Sequence, residues 1–265
     1  DAVVHFAALK SVPDSEADPV GYHRSNCTGL INIVEAMRDH GVNAIVFSSS
    51  AAVYGSAADM PLTETSPCLP DSTYGATKLF GEQFLTRVAT AHPEFKTGIL
   101  RYFNPVGAHP SGLIGEDPSQ PPGNLVPVIA RVARGEIPEL SIFGDDYDTP
   151  DGTCVRDYVH IDDLGDAHLR ALERLQPGKG LCLNLGTGRG TSVREIIDAC
   201  REVTGHPIPE VIGARRAGDP SELIADASLA NEQLGWQPEY TDVRSIVETA
   251  WRWHRSHPNG YASKA

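Results

Sequence analysis

Apolar positions along this chain recur at two spacings, and the switches between them lay out its elements. Residues 2–8 are mostly β-branched and small, and read as a buried strand ending at Ala7-Ala8. A polar loop from Ser11 to Asp18 follows, and Pro19 is placed to start a long helix. In that helix Leu30, Ile33, Val34 and Met37 repeat at the helical period until Gly41 supplies a stop. The run Ala44-Ile45-Val46-Phe47 predicts a strand over 44–49 that leads into Ser48-Ser49-Ser50. After a loop rich in Pro and Thr, Ser72 or Thr73 can cap a helix carrying Tyr74 and Lys78. A strand from Thr97 to Phe103 then closes on Asn104-Pro105. The β-α-β-α-β rhythm predicts an α/β fold with a doubly wound, Rossmann-like parallel sheet.

The texture changes between Pro105 and Gly123, a stretch with five prolines and four glycines. A loop of this length marks function or a domain boundary. The division expected is 1–105 as the parallel-sheet domain and 106–265 as a smaller mixed α/β domain, with some segments returning to the first. Beyond the loop the pattern predicts helices near 125–134, 163–175, 193–204, 228–234 and 242–257, and strands near 141–143, 181–185 and 208–212.

With 265 residues, 40% of them hydrophobic, the chain can bury a sizeable core. A formal net charge of −13 argues against nucleic acid or an anionic membrane surface as a general partner, so any bound phosphate needs local arginines. The five cysteines (Cys27, Cys68, Cys154, Cys182, Cys200) are odd in number and scattered, and read as reduced thiols with no metal site. There is no run of eighteen apolar residues and no signal peptide, so a soluble cytoplasmic protein is expected. The first residues already form a strand and lack an initiator methionine, which suggests the remainder of a longer protein.

Candidate chemistry centres on Tyr74-Gly75-Ala76-Thr77-Lys78. A tyrosine and a lysine four apart project from one helix face. A cation about 5 Å from a phenol, at an effective dielectric of about 20, is worth roughly 3 kcal/mol, or about two units off a tyrosine pKa near 10. The pair is a candidate general base toward an alcohol, although the same spacing also arises on helix faces that do no chemistry. Upstream, a buried strand running into Ser48-Ser49-Ser50-Ala51 presents hydroxyls at the carboxyl edge of a parallel sheet, where such folds bind ligands. Serines there, followed some two dozen residues later by Tyr-x-x-x-Lys, resemble the short-chain dehydrogenase/reductase superfamily. Gly186-Thr187-Gly188-Arg189-Gly190 invites a phosphate-loop reading. Its G-x-G-x-G spacing fits tight strand–helix packing better.

Further stretches narrow the resemblance. They are His5-Phe6-Ala7-Ala8-Leu9-Lys10, Val53-Tyr54-Gly55, Arg101-Tyr102-Phe103-Asn104-Pro105-Val106-Gly107-Ala108-His109, the run from Gly144 through Arg156-Asp157-Tyr158-Val159-His160, and Arg215-Arg216-Ala217-Gly218-Asp219. Together they resemble the UDP-glucose (UDP-galactose) 4-epimerases, extended short-chain dehydrogenases, from the first residue to about Pro238. Members of that family carry an amino-terminal glycine-rich cofactor loop that this sequence lacks. The resemblance therefore implies a fragment that binds NAD poorly by itself.

The resemblance also implies transient oxidation at sugar C4 by tightly held NAD, a UDP-sugar substrate and a homodimer. Ser50, Tyr74 and Lys78 are implied as catalytic. Phe6, Ala7, Ala8, Lys10, Asn26, Ser48 and Tyr102, with Tyr74 and Lys78, are implied to line the cofactor. Asn104, Asn124, Leu125, Phe143, Arg156, Tyr158, Arg216 and Asp219 are implied to receive the uridine diphosphate, with Ser50 at the sugar. Leu223 stands where family members gate an N-acetyl group, and a leucine is intermediate between the excluding and admitting residues. A nucleotide-sugar 4,6-dehydratase is the alternative; it would need an Asp-Glu pair where Ser50-Ala51-Ala52 stand.

Overall fold

The computed structural model describes residues 1–56, 59–117, 123–216 and 219–261. Residues 118–122 of the Pro/Gly-rich loop, and Ala217 and Gly218 of the Arg215–Asp219 motif, lie outside them. Strand β1 (Val3–His5) is shorter than the predicted 2–8, because the backbone leaves the sheet before Ala7-Ala8. The predicted polar loop contains a helix, α1 (Val12–Ala17). Ser11 Oγ accepts the Asp14 N–H at 3.3 Å, and Pro13 sits in the first turn, where a missing donor is harmless.

The long helix predicted from Pro19 is three pieces: α2 (Pro19–Tyr22), a π-helical stretch His23–Thr28, and α3 (Gly29–Asp39). The widened turn lies where Asn26 and Cys27 are buried. Insertions of this kind recur at functional sites, and the reason here is the set of partners Asn26 meets, described below.

Strand β2 (Ala44–Ser50) ends in a short 3₁₀ turn, Ala51–Val53, and α4 (Thr73–Ala91) leads to β3 (Lys96–Tyr102) and β4 (Asn104–Val106). After α5 (Leu125–Ala133) and β5 (Leu140–Phe143) comes β6 (Val155–His160), a strand where only a motif had been visible. Its charged residues hid it. Arg156 and Asp157 are buried but paired within the protein, so they break the apolar run without breaking the strand. Helix α6 (Ile161–Arg174), β7 (Leu181–Leu185), β8 (Gly190–Ser192), α7 (Val193–Thr204), β9 (Glu210–Gly213), β10 (Glu222–Leu223), α8 (Ser228–Leu234) and α9 (Val243–Ser256) complete the order.

Two compact units emerge. The first comprises residues 1–103, 165–185 and 225–237. Its sheet runs β1-β2-β3-β7 with every pairing parallel, the doubly wound Rossmann-like class expected from the alternating periods. Leu30, Val34 and Met37 of α3 and Leu85 of α4 pack with Ile45 and Phe47 of β2 in one core cluster. A buried polar network ties the same elements. Arg101 on β3 holds Glu82 on α4 through two bonds of 2.9 and 2.6 Å, and its Nη1 donates to Tyr54 Oη at 2.8 Å. Tyr54 in turn donates to Asn184 of β7 at 2.6 Å.

The second unit comprises residues 104–164, 186–224 and 238–265. In it β6 pairs in parallel with β4 and β10 and antiparallel with β8, and β5 pairs with β9. Apolar faces of α5, α7 and α9 share one core with Tyr158. Among the described residues no helix is long and apolar enough to cross a membrane, and no cluster of His, Cys, Asp or Glu could hold a metal ion.

Candidate active site

Register places the serines. Ser48, Ser49 and Ser50 end β2, and Ser50 lies level with Tyr102 at the end of β3. His5 of β1 pairs with Phe47, so Phe6, Ala7 and Ala8 follow at the same edge. Tyr74 is the second residue of α4, whose first turn Ser72 caps by accepting the Gly75 N–H at 3.1 Å. Gly75 lets this turn come close. A Cβ there would lie 2.4 Å from the Ala52 carbonyl oxygen, just beyond Ser50. The close approach brings the Tyr74 phenol toward the Ser50 hydroxyl, whose influence acts to lower the phenol's pKa.

Lys78, one helical turn on, is buried, and its ammonium donates to the Ser48 carbonyl at 2.7 Å. Its nitrogen is 5.8 Å from the Tyr74 ring centre and 5.2 Å from that of Phe47. Among the described residues it has no carboxylate partner, and burial pushes its pKa down to about 8. The expectation that Lys78 lowers the phenol is corrected here. Burial holds the Tyr74 pKa above its ordinary value, with the Ser50 hydroxyl only opposing the rise and Tyr22 adding to it. The spacing along the helix is as expected, but burial is the largest influence on the phenol.

Asn26, implied to line the cofactor, is engaged within the protein. Its Oδ1 accepts the Leu9 N–H at 2.8 Å, and its Nδ2 donates to the Leu9 carbonyl and to Thr77 Oγ1, both at 3.0 Å. With these groups engaged, Asn26 fixes the segment after β1 against α4, and does so from the π-helical turn. Phe6 is 59% exposed beside Ala7 and Ala8, and Lys10 is exposed as well. Tyr102 is buried and hydrogen-bonded to His168 Nε2, and its pKa is raised by burial.

Sequence reasoning missed His168, which lies in an amphipathic helix with nothing to single it out. It also missed Ser15, which accepts the Tyr74 N–H at 3.1 Å. The pattern Ser11-x-x-Asp14 with Pro13 was a usable sign of the helix that carries Ser15.

In the second unit, Arg216 lies over the Phe143 ring with its guanidinium carbon 3.8 Å from the centre, and both residues are exposed. Arg215 lies likewise over Tyr147 at 4.1 Å and pairs with Asp146. Arg156 is engaged within the protein. It meets Asp219 at 2.5 Å and donates to the carbonyls of Pro220 and Val155 at 2.8 and 2.7 Å. Leu223 pairs with Arg156 in register, and Asn104 pairs with Tyr158. Asn104 Oδ1 is buried without a partner. Leu125 packs on the core containing Tyr158, and Asn124 is exposed at the start of α5.

The Gly186–Gly190 loop is already filled by a protein anion. Asp157 accepts the N–H groups of Thr187 and Gly188 at 2.7 and 2.9 Å, and the Thr187 hydroxyl at 2.7 Å.

A hydroxyl–phenol–ammonium cluster at the carboxyl edge of a parallel sheet suits proton transfer at an alcohol. Comparison with known proteins agrees with that chemistry. A UDP-glucose 4-epimerase of Lacticaseibacillus casei is 48% identical over 265 residues, covering 100% of this chain and 80% of that protein. The crystal structure of UDP-glucose 4-epimerase from Bifidobacterium longum in complex with NAD+ and UDP matches with a TM-score of 0.94 and 46% identity, over 98% of this chain and 78% of that one. That of the enzyme from Stenotrophomonas maltophila, with bound NAD and formylated UDP-arabinopyranose, matches with a TM-score of 0.94 and 48% identity, over 97% and 77%. Residues 1–186 match the family described as NAD dependent epimerase/dehydratase, and this chain belongs to that family.

Proposed function

We propose that the protein interconverts UDP-galactose and UDP-glucose by reversible oxidation at C4 of the hexose, with bound NAD, and that Ser50, Tyr74 and Lys78 carry the proton chemistry. The observation that carries this reading is the buried Lys78 one helical turn from Tyr74, its nitrogen 5.8 Å from the phenol ring centre, bonded to the Ser48 carbonyl at 2.7 Å and without a carboxylate partner among the described residues.

The residues fit the cofactor. An ammonium has three donors, and Lys78 gives one to Ser48, which leaves capacity for ribose hydroxyls. Phe6, Ala7, Ala8, Lys10, Ser48 and Tyr102 would line the nicotinamide half, and Asn26 would hold that lining in place. NAD, when bound, supplies the hydride acceptor and donor at C4 and emerges unchanged from each cycle.

Tyr74 takes the proton of the 4-hydroxyl, and Ser50 holds the same oxygen through its hydroxyl. Because burial raises the phenol, the base becomes competent only when positive charge beside it outweighs desolvation. Lys78, kept charged below about pH 8, is the chain's own source of that charge. After the sugar turns, Tyr74 returns the proton to the oxygen on the other face.

Asn104, Asn124, Leu125, Phe143, Tyr158 and Arg216 would receive the uridine diphosphate, with Arg156 and Asp219 beside them. Arg216, exposed over Phe143, offers a planar fork to the phosphates. Leu223 leaves N-acetylated sugars as a second substrate class to be assayed. By analogy with the family the protein is read as a cytoplasmic homodimer, which light scattering on the full chain checks.

The deciding experiment follows UDP-glucose formation from UDP-galactose by the protein already loaded with NAD, with no further NAD in the assay. Product with no net NADH is expected. NADH accumulating without UDP-glucose would make the protein a plain oxidoreductase.

A further inference from the structure

We propose that Ser15 is a positioning residue for Tyr74: from α1 its hydroxyl receives the Tyr74 backbone N–H and sets where the phenol stands. Ser15 is fully buried in the six-residue helix α1. Its Oγ accepts from Tyr74 at 3.1 Å while donating to the Val12 carbonyl at 2.7 Å, so both its donor and acceptor functions are used. One residue along, a Glu16 carboxylate oxygen accepts the Thr73 N–H at 2.6 Å.

The first turn of a helix has N–H groups without intrahelical partners, and a capping side chain ordinarily satisfies one near the second or third position. In α4 the cap Ser72 takes the third, Gly75. The first and second are taken by residues 57 and 59 positions earlier in the chain. A local cap closes a helix on itself and leaves it free to slide. A bond from another element fixes the turn in space. Here the fixed turn is the one that carries the candidate base.

The clamp is itself anchored. Ser11 caps α1, and the Tyr22 hydroxyl donates to the Ser11 carbonyl at 2.7 Å. On the far side, the Ala52 carbonyl oxygen lies where a Cβ on Gly75 would stand. The first turn of α4 is therefore held between α1 and the exit of β2, which sets the reach from the Tyr74 hydroxyl to Ser50. This inference rests on the reading of Tyr74 as the base.

The test compares Ser15→Ala, Ser15→Thr and Tyr74→Phe in the full chain with NAD bound. Ser15→Ala should lower kcat about tenfold or more, because small misplacements of a catalytic group are expensive in rate. The KM for UDP-galactose should stay within about twofold, as ground-state binding is untouched. Ser15→Thr keeps the hydroxyl and should recover most of kcat. Amide hydrogen exchange at Tyr74 should quicken in Ser15→Ala even without cofactor. A Ser15→Ala protein with a lowered Tm but normal kcat would overturn the proposal and leave Ser15 a purely structural residue. If Ser15→Ala does not fold, Tyr22→Phe, which loosens α1, takes its place with the same expected split between kcat and KM. Tyr74→Phe that still turns over would instead overturn the reading of the base. An inactive Tyr74→Phe beside a fully active Ser15→Ala would overturn only the positioning role.

Discussion

Lys78 sets two opposing demands on one residue. Its ammonium is the charge that favours a Tyr74 phenolate, yet burying it brings its pKa from 10.5 to about 8. Below about pH 8 it is protonated in folded and unfolded chains alike, and the folded state bears the full burial penalty. Between about 8 and 10.5 the unfolded chain binds a proton that the folded chain has shed, so stability rises with pH across that window. The total relief is about 3 kcal/mol. Lys78→Met should flatten this rise and melt no lower than the parent at neutral pH, which melting curves taken across the alkaline range check. Its kcat should fall by about 10²-fold or more. In the parent, kcat should decline as pH climbs through about 8 and the ammonium is lost. Tyr74→Phe should fold normally and lose about 10³-fold or more in turnover.

At the scale of elements, α4 is held against the sheet by a contact and by a charge pair. Gly75 is present for space, since it lies in ordinary helical conformation and a methyl group there would meet the Ala52 carbonyl. Gly75→Ala should cost about 1–3 kcal/mol from overpacking and lower kcat as well, because Tyr74 is its neighbour. Thermal melts with steady-state kinetics separate the two effects. The Glu82–Arg101 pair is nearly solvent-free and bidentate. Glu82→Gln should destabilise by about 3–5 kcal/mol, because it leaves a buried guanidinium uncompensated. Denaturant unfolding measures that loss.

For the whole molecule, the proposed cofactor residues lie in one compact unit, and the proposed nucleotide residues, Ser50 apart, in the other. Ligands that bind only the folded state raise Tm by mass action. Arg216→Ala should therefore remove most of the Tm rise produced by UDP while preserving that produced by NAD. Lys78→Ala should do the reverse. Calorimetry with each ligand alone distinguishes these outcomes, and a variant that loses both responses would contradict the assignment.

Local chemistry made much of this protein readable from its residues. The alternation of periods gave the parallel α/β order, because strand and helix spacing depend on nearby residues. The four-residue spacing of Tyr74 and Lys78 gave their common face, and the serine-ended strand gave the sheet edge beside them. Other features depend on partners far along the chain. Asn26 meets Leu9 and Thr77, 17 and 51 residues away, and so braces the backbone with its amide. Arg156 and Asp157 could form a buried strand only because Asp219 and the 187–188 amides neutralise them. The proton affinity of Tyr74 belongs to this second class. The sequence showed a cation one turn away and implied a lowered pKa, whereas the folded chain raises it, because desolvation is set by everything packed around the phenol and spacing along one helix cannot report it.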